Sequence, residues 1–175
     1  GSRTAASAAI TIVHSHHEKD VIAAALPQAP VAVFPWIYEP RGPGKPFAER
    51  RDLIFVGSYR HDPNVDAVQH FVADIMPVLG ERMRGMMFIA AGSHPPPAIT
   101  ALAGPQVAVP GFLPDIEGPL MNARVMVAPL RYGAGLKGKI VTAMACGLPV
   151  VTTSIGAEGM ALTPEEHVLV ADGPE

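Results

Sequence analysis

PLRYGAGLKGKIVTAMACGLPVVTT, residues 129–153, reads in order as the end of a strand, a glycine-rich turn, a helix, a glycine stop and a second strand. Gly133, Gly135 and Gly138 let the turn follow a backbone path that side chains would block. A turn of this kind opening a helix prepares a place for an anion, because the first N–H groups of the helix are free. Lys137, at the helix start, adds a full positive charge, which opposes the helix dipole unless something negative is bound. Tight packing of the turn beneath a neighbouring helix explains the same glycines, and the residues alone leave both readings open. GAGLKG fits the pattern G-x-G-x-x-G, but it does not follow the first strand and no ribose-binding acid stands at the expected distance. The turn is neither a Walker loop nor a complete dinucleotide fingerprint.

Outward from this stretch, strands and helices alternate. LIFVG (53–57), MMFIAAG (86–92), QVAVPGF (106–112), RVMVAPL (124–130), LPVVTT (148–153) and HVLVAD (167–172) read as short buried strands. Between them, NVDAVQHFVADIMPVLG (64–80) places Val65, Val68, Phe71, Val72, Ile75 and Val78 on one helical face, with Asn64 as its cap. PPAITALAG (96–104) is a short helix begun by prolines, and DIEGPLMNA (115–123) one with acids at its start. This alternation predicts an α/β fold, a Rossmann-like parallel sheet wound right-handed with helices on both faces.

Composition agrees. The chain of 175 residues is 49% hydrophobic and only 6% aromatic, so aliphatic side chains build the interior, as buried parallel strands require. A net charge of −3 gives no global reason to bind nucleic acid. A single cysteine, Cys146, excludes an intrachain disulfide and a cysteine-based zinc site, and suits a reducing compartment. No apolar run reaches the ~20 residues needed to span a bilayer. The expected location is cytoplasmic, with peripheral attachment of a full-length protein to the inner membrane face left open. Gly1-Ser2 resembles a cloning remnant.

The opening stretch is different in kind. AITIVHSHHEKDVIAAAL (9–26) and APVAVFPWIYEP (29–40) hold short strands at Ile10–Val13 and Val31–Phe34 with a short helix between them. This part has too little apolar surface to fold alone and is expected to belong partly to something absent. Residues 41–51, rich in Pro and Gly, read as a linker or exposed loop. The expected organisation is residues 1–40 as the end of a preceding domain and its crossing, 41–51 as the linker, and 52–175 as the Rossmann-like domain, cut short before its closing helices.

In an open parallel sheet, ligands sit beyond the carboxyl ends of the strands. GSYRHDPN (57–64), PLRYGAGLK (129–137) and TSIGAEG (153–159) fall there and offer Arg60, Arg131, Lys137 and Glu158. Other clusters read as structural. His14, His16 and His17 sit at a strand exit with no carboxylate pattern to complete a metal site. Cys146, Met144 and the cluster Met83, Met86 and Met87 read as core filler, and ERRD (49–52) as solvated surface. Asp62, Asp66 and Glu158 form no recognisable acid–base pair.

Together, FVGSYRHDPNVDAVQHFVADIMPVL (55–79) and residues 109–159 resemble the second half of the group 1 (family 4) glycosyltransferases. These are GT-B enzymes, in which paired Rossmann-like domains face each other across a cleft. The resemblance implies a C-terminal donor-binding domain, binding a nucleotide-diphosphate sugar (UDP- or GDP-sugar) for transfer, with retention, to a glycan, lipid or other acceptor held by the N-terminal domain. It implies no metal, no further cofactor and no nucleic acid. Residue by residue, it puts Gly57 and Ser58 near the donor phosphates, and Arg131, Gly133, Gly135 and Lys137 in the phosphate-side loop. Lys137 and Arg131 would stabilise the leaving diphosphate, with the Lys137 side chain exposed in the free protein. Gly156, Glu158 and Gly159 would lie near the sugar or nucleotide, and Thr142 would face the ribose hydroxyls. Ala134 and Thr142 stand where the family has glutamates eight positions apart, and Ser58 where many members have arginine. A fragment lacking the acceptor domain would be inactive alone. A non-catalytic module of the same fold, or another GT-B enzyme such as a nucleotide-sugar epimerase, are the alternatives.

Overall fold

Residues 51–170 are organised by a six-stranded sheet in this computed structural model, which describes Ala5 and residues 7–173. Gly1-Ser2 and the domain end expected at 175 lie outside the described residues. Ahead of the sheet, β1 (Thr11–Val13) and β2 (Val31–Val33) form a separate parallel pair joined by α1 (His16–Ala25). A reciprocal cap starts α1: Ser15 Oγ accepts from Glu18 N, and the Glu18 carboxylate accepts from Ser15 N, each at 3.1 Å. This unit leaves Ile10, Ile12, Phe34 and Ile37 exposed.

The main sheet contains β3 (Arg51–Val56), β4 (Phe88–Ala91), β5 (Val107–Gly111), β6 (Ala123–Ala128), β7 (Val150–Thr152) and β8 (Leu169–Val170). Its spatial order is β5-β4-β3-β6-β7-β8, and every neighbouring pair is parallel. The chain winds outward from β3 to β5, returns to lay β6 beside β3, and then winds outward the other way. That reversal leaves a crevice between the carboxyl ends of β3 and β6.

Alternation along β3 divides the core. Leu53 and Phe55 point to one face, where they meet Val68, Phe71, Phe88 and Ile99. Ile54 points to the other, against Met126, Ile140, Ala143 and Cys146. The first face is covered by α2 (Asp62–His70), the second by α5 (Gly138–Ala145). Three shorter helices complete the connections: α3 (Pro97–Thr100), α4 (Glu117–Asn122) and α6 (Ser154–Ala157). Helices on both faces of a parallel sheet are the predicted architecture. Among the described residues no helix is long and apolar enough to cross a membrane.

Several local expectations are corrected. Helix α2 begins at Asp62 with His61 as its cap, so Asn64 lies inside the first turn and is buried. Beyond His70 the helix runs through a π-helical turn (Phe71–Ile75) into Met76–Leu79. Pro77 lacks the N–H that a regular turn needs, and the widened turn before it absorbs the mismatch. The extra residue rotates later positions off the apolar face, which leaves Val78 exposed. Met87 is exposed as well, whereas Met86 and Met144 pack on the core.

The glycine- and proline-rich stretch is largely exposed, and it is tied to the domain at several points. Arg41 N donates to Ala145 O at 2.6 Å, and Arg41 pairs with Glu117 at 3.2 Å. Arg50, expected at the solvated surface, is buried; its Nε donates to Lys45 O at 2.7 Å and its guanidinium also reaches Pro43 O. A cation that donates through Nε and one terminal nitrogen to backbone carbonyls helps pin this segment as a strap against α4 and the end of α5.

Candidate functional site

The loops that follow β3, β6 and β7 meet at the carboxyl edge of the sheet. Past β3, the chain turns through Gly57, Ser58 and Tyr59 into α2. A Cβ at Gly57 would lie 2.8 Å from Asn64 Nδ2 and 3.1 Å from Lys139 Nζ, so only glycine leaves room for the side chains there. Asn64 Nδ2 donates to Ser58 O at 2.7 Å and fixes this turn from within α2. Tyr59 is buried beneath it with an unpartnered hydroxyl, and burial raises its pKa.

Past β6, the turn of residues 131–137 takes the path its glycines allow: Gly133 has φ +133° and Gly135 φ +76°. Lys137 differs from its expected placement. Its side chain is buried, not exposed, and folds back to donate to Gly135 O at 2.6 Å and Gly133 O at 3.4 Å. Burial lowers its pKa, while Glu158 pulls the other way. In this state Lys137 braces the loop that it belongs to. Arg131 is exposed and grips Asp66 of α2, its Nε donating to Oδ2 at 2.9 Å. That hydrogen bond, more than charge alone, holds the Asp66 carboxyl below its usual pKa. Arg131 is thereby committed to a partner on α2, and Arg60 is exposed on the first loop.

At the end of β7, successive threonines latch the strand ends together. Thr152 Oγ1 donates to Ala128 O at 2.9 Å, and Thr153 Oγ1 to Leu130 O at 2.6 Å. Thr153 also caps α6 by accepting from Gly156 N at 3.0 Å. Gly156 is buried inside α6, where a Cβ would lie 1.9 Å from Thr152 Oγ1; it serves packing. Glu158 and Gly159 continue outward. Glu158 is exposed and sits 3.9 Å from His17 of α1. Thr142, in the middle of α5, turns its hydroxyl back to donate to Gly138 O at 2.9 Å.

Lys139 completes the site, and sequence reasoning passed over it in favour of Lys137. From the first turn of α5 it reaches the crevice between β3 and β6. Its Nζ donates to Asn64 Oδ1 and sits 4.3 Å from the centre of the Phe55 ring. Burial and the nearby Lys137 push its pKa down to about 7. The signal was the alternation K-G-K at the helix start, which places cations on successive sides of one turn.

Between these loops and the β1–α1 unit lies a cleft. One cavity of about 370 Å³ is lined by Val13, His17, Ala134, Gly135 and Glu158, and another of about 580 Å³ by His14, His16, Trp36, Val141 and Met160. His14 has its Nδ1 3.0 Å from Phe34 O and its ring 5.3 Å from that of Trp36. Among the described residues no cluster of His, Cys, Asp and Glu could hold a metal ion.

The site gathers Gly57, Ser58, Gly133, Gly135, Lys137 and Lys139 at the crevice. Glu158 and Gly159 stand at the cleft wall. Arg131 is held aside by Asp66, Gly156 is buried, and the Thr142 hydroxyl is taken up by its own helix.

Solved structures share this fold. TarM matches with a TM-score of 0.73 and 14% identity over 92% of this chain and 33% of that one. The Anabaena protein Alr3699/HepE, solved in complex with UDP and glucose, matches with a TM-score of 0.73 and 15% identity over 99% of this chain and 53% of that one. The GtfA/B complex gives 0.66 and 13%, over 97% and 35%. This chain thus spans a third to about half the length of those it matches. A search of curated proteins found no match. The family described as "Glycosyl transferases group 1" matches residues 50–175, well over half the chain. With the parallel sheet and its GT-B neighbours, that match places the protein in a family: the chain belongs to the group 1 glycosyltransferases.

Proposed function

We propose that this chain carries the nucleotide-sugar site of a retaining glycosyltransferase, binding the donor's diphosphate at the crevice between β3 and β6. One observation carries the reading. Where the strand order reverses, a positive-φ glycine turn, the start of α5, and two lysines meet, and no acid is paired with either lysine among the described residues. Free N–H groups at a helix start and unneutralised ammonium groups in a half-buried crevice suit a polyanion. In the transfer step, the same groups would stabilise charge developing on the departing diphosphate. Lys137 would take part by exchanging its loop carbonyls for phosphate oxygens. The sugar would extend toward Glu158 and Gly159 in the cleft, and the nucleoside would lie along α5 beside Thr142. The UDP and glucose bound in the structure of Alr3699/HepE add support for a nucleotide-sugar ligand.

In the same proposal, residues 1–40 end a preceding domain that holds the glycan or lipid acceptor. The exposed Ile10, Ile12, Phe34 and Ile37 support this, since a unit so small leaves its apolar surface in water unless more protein covers it. Transfer would then need that domain.

Thr142 favours a second reading, a binding module without catalysis, because a hydroxyl engaged by Gly138 O offers a ribose less than a carboxylate would. Calorimetric titration with UDP, GDP, ADP and their sugars tests the donor site, and a transfer assay on a chain that includes the acceptor domain separates the two readings. Binding of a nucleoside diphosphate is expected; failure of every nucleotide to bind would overturn the donor-site reading.

A further inference from the structure

We propose that Lys139 is a second cation that meets the nucleotide's diphosphate beside Lys137, leaving Asn64 to do so and taking up a proton as the ligand arrives; this rests on the donor-site reading above. The positions of the basic groups lead to it. Before the ligand arrives, Arg131 is held by the Asp66 carboxylate and Lys137 by carbonyls of its own loop. Lys139 has a neutral amide, Asn64 Oδ1, and the face of Phe55. Neither supplies a counter-charge, and the space over Gly57 lets the ammonium stand between β3 and α5.

The surroundings explain why a proton moves. From α2 the group facing Lys139 is Asn64, from β3 it is Phe55, and the charged neighbour whose field reaches it is Lys137. Burial and that like charge bring its pKa to about 7, so near neutrality a large share of molecules carry the neutral amine. A diphosphate at the crevice supplies the missing negative charge and favours the ammonium. One proton passes from solvent to Nζ in those molecules, and no other bond changes. Asn64 keeps its bond to Ser58 O throughout, so the turn after β3 stays fixed while its partner swings.

The test compares the wild-type chain with Lys139→Arg and Lys139→Met by calorimetry, using UDP, GDP and inorganic pyrophosphate at about pH 6.5 and about pH 8. Arginine stays charged across this range, so Lys139→Arg reports the ligand's own ionisation. The expected result is that wild-type affinity falls roughly 8-fold more than that of Lys139→Arg between those pH values, as a group of pKa about 7 requires. Lys139→Met should bind at least about 10-fold more weakly than wild type at the lower pH. Pyrophosphate should follow the same pattern as the nucleotides. Equal pH dependence in wild type and Lys139→Arg, with Lys139→Met binding as tightly as wild type, would overturn the assignment and leave the donor-site reading standing. Absence of binding by any diphosphate to wild type would overturn both. The comparison of wild type with Lys139→Arg holds even where Lys139→Met fails to fold.

Discussion

Tyr59 shows how a residue placed for one purpose can cost something in another. Its ring fills the core under the turn after β3, but its buried hydroxyl finds no partner. Leaving such a group unsatisfied costs about 1–3 kcal/mol, so Tyr59→Phe should raise stability by roughly 1 kcal/mol in a urea melt. A clear loss of stability would mean that the hydroxyl has a partner in solution. Lys137 makes the opposite case. Because it is buried and holds Gly133 O and Gly135 O, Lys137→Ala should lower the melting temperature, by about 1–2 kcal/mol of stability, as well as weakening nucleotide binding. An unchanged melting temperature would show the side chain free. At this scale the sequence was only partly legible. A glycine-rich turn with lysines announced an anion site, but whether each lysine bonds its own loop, a neighbouring amide or solvent depends on how α5 docks against β3. Asn64 hid for the same reason: an asparagine near a helix start reads as a cap, and only the packed crevice makes it a bridge between Ser58 and Lys139.

Elements were more legible, because each strand is a short aliphatic run bounded by turn residues and the longer helices repeat on their own period, whereas four-residue α6 was read as part of a loop. What escaped were departures from regularity. Pro77 forces the π-helical turn that exposes Val78, and no simple periodicity carries that shift. Arg50 escaped because a charged residue in a Pro/Gly-rich stretch reads as solvated until its fork is seen to bind Lys45 O and Pro43 O. The latch between β6 and β7 is testable. Gly156 leaves space for Thr152, whose hydroxyl reaches Ala128 O. Gly156→Ala forces these groups apart and should destabilise the fold by about 1–3 kcal/mol. Adding Thr152→Ala should recover part of that loss, the coupling expected for residues in direct contact. Strictly additive losses in a double-mutant cycle would put the strain elsewhere.

For the molecule as a whole, a parallel sheet wound both ways from β3 and β6 creates one crevice, where Lys137 and Lys139 stand without an acidic salt-bridge partner among the described residues. That arrangement has a consequence for stability. An unfolded lysine keeps its proton up to about pH 10.4, whereas folded Lys139 releases it near pH 7. Between those values the unfolded chain binds more protons, so the contribution of this group to stability rises with pH. Wild type should therefore gain stability relative to Lys139→Met from neutral pH upward, as read by denaturant melts across that window; a parallel pH dependence in both would contradict the buried cation. The central claim, that the crevice is the nucleotide site, is tested most directly by following backbone amide resonances during titration with UDP or GDP. Shifts confined to Gly57–Tyr59, Gly133–Lys139 and Thr153–Gly159 are the predicted result. Shifts centred at the opposite end of the sheet, around Met87 and Gln106, would contradict it.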